Sequence, residues 1–226
     1  MAEAVIEAST EQVAGEQRMR MTYEQFVAHG SEEHAEWVDG EVIFFMPPLS
    51  LHQQLIVFLT KLISLYADLL DLGTLLVAPT EMRIRPDGNA REPDVLFLAK
   101  QHVSRLDTHR VNGPADLVIE IISKESVGRD RGDKFYEYQE GGVREYWIVD
   151  PRPGKERVDV YHLDQQARYV AVLPDANNRF HSLVLPGFWF QEEWLREQTI
   201  PEVLPTLARM LPDTARAKLL QSLGLQ

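Results

Sequence analysis

No cysteine occurs among the 226 residues, which excludes disulfides and thiolate metal sites. Long hydrophobic runs are missing as well. A bilayer-spanning helix needs about 18–20 consecutive apolar residues, and the longest candidate, residues 51–70, is interrupted by His52, Gln53, Gln54, Lys61 and Asp68. The opening residues carry Glu3, Glu7 and Glu11, without the basic-then-apolar order of a secretory signal. These absences lead us to expect a cytoplasmic protein with no membrane segment. No P-loop, GxGxxG or GxSxG pattern appears, which argues against nucleotide-driven, dinucleotide-dependent and α/β-hydrolase chemistry. The seven histidines show no HxxxH-type spacing, so a zinc site is not indicated.

Positive charge is also scarce. The net charge is -12, and a strongly acidic chain should repel a polyanion at long range. The deficit is uneven. Residues 81–134 hold ten Lys/Arg and ten Asp/Glu, leaving 13 basic against 25 acidic residues elsewhere. Hydrophobic residues at 44% and charged residues at 26% are those of an ordinary globular protein. The length suits one sizeable α/β domain, or a domain with a small appendage.

Residues 1–20 are small and polar and predict a loose or weakly helical extension. Thr22 followed by Glu24-Gln25 predicts a helix over 23–29. Ala35 to Phe45 reads as a hairpin around Asp39-Gly40, stopped by Pro47-Pro48. Ser50 caps a predicted helix with Leu51, Leu55, Phe58, Leu62, Tyr66 and Leu69 on one face, and Gly73 is placed to end it. Strands are expected at 74–85, 93–98, 115–122 and 146–149, with a polar connector at 100–114. A helix is expected at 129–140, with Gly141-Gly142 as its stop. Shorter strands follow at 157–163, 168–173 and 180–185. The tail 191–226, broken by Pro201, Pro205 and Pro212, reads as short helices.

Two carboxylates do not fit this pattern. Glu120 stands inside Leu117-Val118-Ile119-Glu120-Ile121-Ile122, a run apolar on both faces and therefore central in a sheet. A buried carboxylate is tolerated when it is paired, protonated or bound to a metal. Asp94, in Pro93-Asp94-Val95-Leu96-Phe97-Leu98, repeats the anomaly at the start of a strand. Read singly, Glu120 has a buried salt bridge as its alternative, and Asp94 a turn-terminating role. Read together, two acids on adjacent strands can converge on one hard divalent ion such as Mg²⁺.

These residues resemble a family. Ala35-Glu36-Trp37-Val38-Asp39-Gly40-Glu41, Pro93-Asp94-Val95 and Asp116 to Ser123 follow the order seen in the Uma-two endonuclease family. Asp130 to Tyr138 and Gly142 to Pro151 extend the match. That family is a branch of the PD-(D/E)xK restriction-endonuclease-like superfamily. The resemblance spans roughly residues 20–190. It implies an α/β fold with a restriction-endonuclease-like central mixed sheet flanked by helices, built on residues 21–190. It also implies a metal held by Asp94 and Glu120, with Glu36 as a further ligand or a supporting acid.

The superfamily lysine, expected two residues after Glu120, is replaced by Ile122. Lys124 continues the same strand face if the strand runs that far. Lys134 lies on the following helix, where the resemblance places a lysine, and it is the favoured substitute; as a bland alternative it is a surface partner of Asp130. Tyr138 shares its helix face and is expected mainly to pack. Tyr146 and Trp147 read as core, Glu145 as a weaker candidate for holding Lys134, and His52 as a surface residue near the site. The resemblance implies a Mg²⁺-dependent DNA endonuclease (Mn²⁺ substituting), with a homodimer as one way to cut both strands. The competing expectation is a catalytically weak or inactive member, kept as a DNA-binding or protein-interaction module.

Overall fold

The computed structural model describes residues 11–13, 16–29, 35–44, 50–196, 199–222 and 224. The chain begins with β1 (Glu11–Val13), β2 (Glu16–Arg20), α1 (Tyr23–His29), β3 (Ala35–Val38) and β4 (Glu41–Phe44). Next come α2 (Ser50–Leu70), β5 (Gly73–Val77), β6 (Glu81–Arg83), β7 (Ala90–Arg91) and β8 (Val95–Ala99). After a 3₁₀ turn at Lys100–Arg105 follow β9 (Arg110–Asn112) and β10 (Leu117–Ile121). A π-type turn at Arg129–Asp133 leads into α3 (Lys134–Gly141), then β11 (Glu145–Asp150), β12 (Arg157–Leu163), β13 (Tyr169–Val172), β14 (Arg179–His181) and β15 (Trp189–Gln191). The chain closes with α4 (Val203–Met210) and α5 (Asp213–Ser222).

The central sheet is mixed, in the order β13-β12-β11-β10-β8-β5, with β10 and β11 parallel and the remaining pairs antiparallel. Alternation along β10 divides the core into two layers. Leu117, Ile119 and Ile121 face α2 and the C-terminal helices, joining Leu55, Phe58, Leu62, Leu207 and Met210. Val118 and Ile122 face the opposite way, packing with Met82, Leu96, Tyr138 and Tyr146. Every residue of β10 is thus buried, as its β-branched sequence predicts for a central strand. Helix α2 is long and apolar enough to cross a membrane, yet its Leu55, Leu59, Leu62, Ile63 and Tyr66 are all fully buried in this core.

A second sheet, β1-β2-β4-β3-β7-β6-β9, lies on the far side of the inner layer. It departs from the expected arrangement in two ways. The single strand foreseen at 74–85 is two strands in different sheets, separated at Ala78–Pro79–Thr80. The extension foreseen as loose or helical contains β2, which pairs with β4 from Gln17↔Phe44 to Arg20↔Glu41. An open sheet edge offers backbone partners whatever the polarity of the side chains. The remainder of that extension, residues 1–10, and the expected Pro47-Pro48 stop lie outside the described residues.

The hairpin turn is as read: Asp39 and Gly40 both have positive φ, 49° and 84°. The end of α2 is not. Asp71, at φ 55°, takes the left-handed position after the helix, and Gly73 instead opens β5 at φ 151°. A Cβ on Gly73 would lie 2.0 Å from the Leu98 carbonyl oxygen. We therefore expect Gly73→Ala to lower stability by about 2–4 kcal/mol, since the clash is with backbone in the central sheet. Thermal melting of the variant measures this, and a loss below about 1 kcal/mol would show that β5 shifts freely.

Candidate functional site

Sheet pairing first brings the two anomalous acids together. Asp94 sits one residue ahead of β8, and β8 runs antiparallel to β10 with Val95 opposite Ile119. The Asp94 side chain extends that ladder: its Oδ2 accepts the Ile121 N–H at 2.7 Å. Alternation with Leu96 and Leu98 directs Asp94 to the same layer as Glu120. His52, in the first turn of α2, sets its Nε2 3.3 Å from the same oxygen of Asp94. The expected surface histidine is buried, and the bond to Asp94 holds its pKa up against burial.

Lys134 completes the group. Its Nζ donates to Glu120 Oε1 at 2.9 Å and to Glu36 Oε1 at 2.8 Å, with Asp130 Oδ1 at 3.6 Å. It is 3% exposed, so the surface-partner alternative does not describe it. Burial alone would expel a lysine's charge, but the surrounding carboxylates raise its pKa instead. Lys124 is exposed in a turn beyond the end of β10 and does not reach the site. Ile122 is 1% exposed and belongs to the inner core. The cation therefore comes from α3 and not from the strand.

Glu36, from the second sheet, is fully engaged. Its Oε2 accepts Arg91 Nη1 at 3.1 Å, and its Oε1 accepts the Glu92 N–H at 3.2 Å as well as Lys134. Burial works against its charge, but Lys134, Arg91 and Arg129 outweigh it and hold the carboxyl down to about 2. Arg91 is fixed in turn by Glu137 Oε2, at 2.8 Å from Nε and 2.6 Å from Nη2. Tyr138 also touches the site, donating to Glu120 Oε1 at 2.9 Å while its ring packs on Tyr146. Two donors thus share one oxygen of Glu120, and any proton that Glu120 carries sits on Oε2. Burial, together with the charges of Asp130, Asp94 and Glu36, raises the Glu120 pKa despite Lys134.

Sequence reasoning missed two members, Arg91 and Glu137, which form the brace behind Glu36; Asp130, read as a surface partner of Lys134, does stand beside it but is buried. The spacing Asp130, Lys134, Tyr138 was a usable signal, because it marks one helix face. The Arg91 pairing was not, because it joins strands and a helix far apart in sequence. Glu145 does not hold Lys134. It faces the other layer and binds the 182–184 loop, accepting Ser182 Oγ at 2.8 Å and the N–H groups of Leu183 and Val184 at 2.9 and 2.8 Å.

The donor set suits a hard divalent cation. Asp94 and Glu120 each have one oxygen fixed by protein donors, which leaves Asp94 Oδ1 and Glu120 Oε2 without a hydrogen bond among the described residues. The described residues hold no group of three His, Asp or Glu side chains arranged as a ligand cage. Magnesium does not require one: one or two carboxylates, water and substrate phosphate suffice.

Removing Glu36 should uncover the buried ammonium. We expect Glu36→Gln to lose about 3–5 kcal/mol, the usual result of breaking one side of a buried ion pair. The depressed Glu36 carboxyl contributes stability above its ordinary pKa of 4.5, and this is lost as pH falls toward about 2. Melting curves between those limits should show a shallower acid limb in Glu36→Gln than in wild type, and equal slopes would contradict the assignment.

The family model described as Uma2, "Putative restriction endonuclease", matches residues 21–196. Among solved structures, the chain is similar to one titled a "putative nuclease belonging to DUF820" from Anabaena variabilis, at 15% identity and a TM-score of 0.58, covering 73% of this chain and 90% of that one. No curated protein matches. With more than three quarters of its length inside that model, the chain belongs to the Uma2 family.

Proposed function

We propose that the protein is a divalent-metal-dependent endonuclease acting on DNA, with a PD-(D/E)xK-type site whose lysine is supplied by α3. The observation that carries this reading is the Lys134–Glu120 bond at 2.9 Å, on a strand whose neighbour presents Asp94 on the same face. In this reading Asp94 and Glu120 hold Mg²⁺ or Mn²⁺. A bound ion supplies positive charge against the phosphodiester and lowers the pKa of water. The protein's own groups do the positioning. Ile121 N–H and His52 fix Asp94, and Tyr138 and Lys134 fix Glu120. Lys134, kept charged by Glu36, places a cation beside the reacting phosphate and orients the attacking water. Of the two roles open to Glu36, its saturated hydrogen bonding favours supporting Lys134 over ligating the ion.

A second reading rests on one observation: Lys134 is buried and already engaged by two carboxylates. In that reading the site binds metal and DNA but cleaves weakly. Plasmid incubated with the protein and Mn²⁺ separates them. We expect cleavage, reduced at least about 100-fold in Asp94→Ala and in Lys134→Met. Retarded DNA mobility without cleavage by wild type would instead support the binding module.

A further inference from the structure

Asp130, one of the acids around Lys134, has a buried side-chain oxygen without a hydrogen bond. It lies in the π-type turn, 2% exposed, and its Oδ1 is buried without a hydrogen-bond partner. The backbone around it is well held: its N–H donates to Ser126 O at 2.9 Å, and its carbonyl accepts Tyr146 OH at 2.9 Å. Ser126 also bonds the carboxylate, so the atom left without a hydrogen bond is Oδ1. Asp130 is not the main partner of Lys134, whose Nζ lies 3.6 Å away and closer to both Glu36 and Glu120. An orphaned buried acceptor costs about 1–3 kcal/mol and calls for an explanation such as an ion or water.

Charge in the pocket points the same way. Arg91 and Arg129 both lie against Glu36, and Lys134 faces Glu120 and Asp130 together; Arg129 also acts on Asp130, and Asp94 is close enough to act on both acids. Burial, reinforced by Asp94, leaves the Asp130 carboxyl above its ordinary pKa even with Lys134 and Ser126 lowering it.

We infer that Asp130 is a third acidic member of the divalent-cation site, acting on the ion through water and setting its affinity. This rests on the proposed Asp94–Glu120 metal site, and carboxylates that support a metal from behind its ligands typically change affinity by about 10–100-fold. A turn with one residue more than an α-turn suits the role. It brings Asp130, Lys134 and Tyr138 onto the face that looks at Glu120.

Isothermal titration of the full chain with Mn²⁺, beside melting with and without Mn²⁺, tests this. We expect Asp130→Asn to weaken Mn²⁺ binding about tenfold or more, with a smaller Mn²⁺-induced rise in melting temperature. Its metal-free melting temperature should stay at the wild-type value or above. Asp130→Ala, which cannot accept a hydrogen bond, should behave alike and stands in if the amide does not fold. Wild-type affinity in both variants, with binding lost in Asp94→Ala, overturns the role of Asp130 and leaves the metal site intact. A lower metal-free melting temperature with an unchanged Mn²⁺ shift would make Asp130 structural and also overturn it. Absence of Mn²⁺ binding in wild type removes both.

Discussion

An ammonium ion with almost no contact with water organises the centre of this protein. Lys134 is reached by Glu36 from one sheet, by Glu120 from the other, and by Asp130 from its own helical segment. A lone lysine there would be expelled or neutralised. Carboxylates from three elements surround Lys134, and its bonds to Glu36 and Glu120 tie both sheets to α3. Brace residues extend the arrangement outward: Arg91 and Glu137 behind Glu36, and Tyr138 beside Glu120. Removing Glu36 or Arg91 leaves another buried charge short of its partner, so these members are strongly interdependent.

The two layers of β10 divide the labour. On one side Leu117, Ile119 and Ile121 pack against α2 and the C-terminal helices, and that layer is wholly apolar along the strand. On the other side Val118 and Ile122 enclose Glu120 between aromatic and aliphatic neighbours. The apolar wall explains why Glu120 is so strongly perturbed, because no water competes for it from above or below along the strand. Asp94 is treated differently. Its side chain is 21% exposed and lies just ahead of β8. One acid is therefore held deep and the other nearer the surface.

Much of this was legible because local rules and tertiary context agreed. The hairpin at Asp39-Gly40, the start of α2 at Ser50 and the central character of β10 all follow from short-range chemistry. The misplaced acids Asp94 and Glu120 were visible because burial could be inferred from their neighbours. What escaped depends on partners distant in sequence. A short polar strand such as β2 exists because β4 offers an open edge, and nothing in Glu16–Arg20 announces that edge. Arg91 pairs with residues 55 and 46 positions away, and neither spacing has a periodic signature. Glu145 was assigned to the wrong layer for a similar reason: its partners lie in the 182–184 loop. Gly73 misled because a glycine after a helix has two uses, ending it or permitting close approach, and here Asp71 already serves the first.

The acidic charge of the chain is harder to reconcile with a polyanionic substrate than the fold is. Neutrality over residues 81–134 removes long-range repulsion from that stretch, but the pocket itself still carries more carboxylates than cations can match. Lys134 offsets this only in part, since it is bonded to Glu36 and Glu120 inside the cluster. On the proposed reading, the sign of the site is set by the divalent ion. Two added positive charges beside Asp94 and Glu120 turn a pocket that repels phosphate into one that attracts it. On the same reading, the burial and neighbouring carboxylates that raise the Glu120 pKa are what the ion's charge would offset. The buried excess of acid, which looks like a defect of the isolated chain, is then what makes phosphate binding conditional on metal.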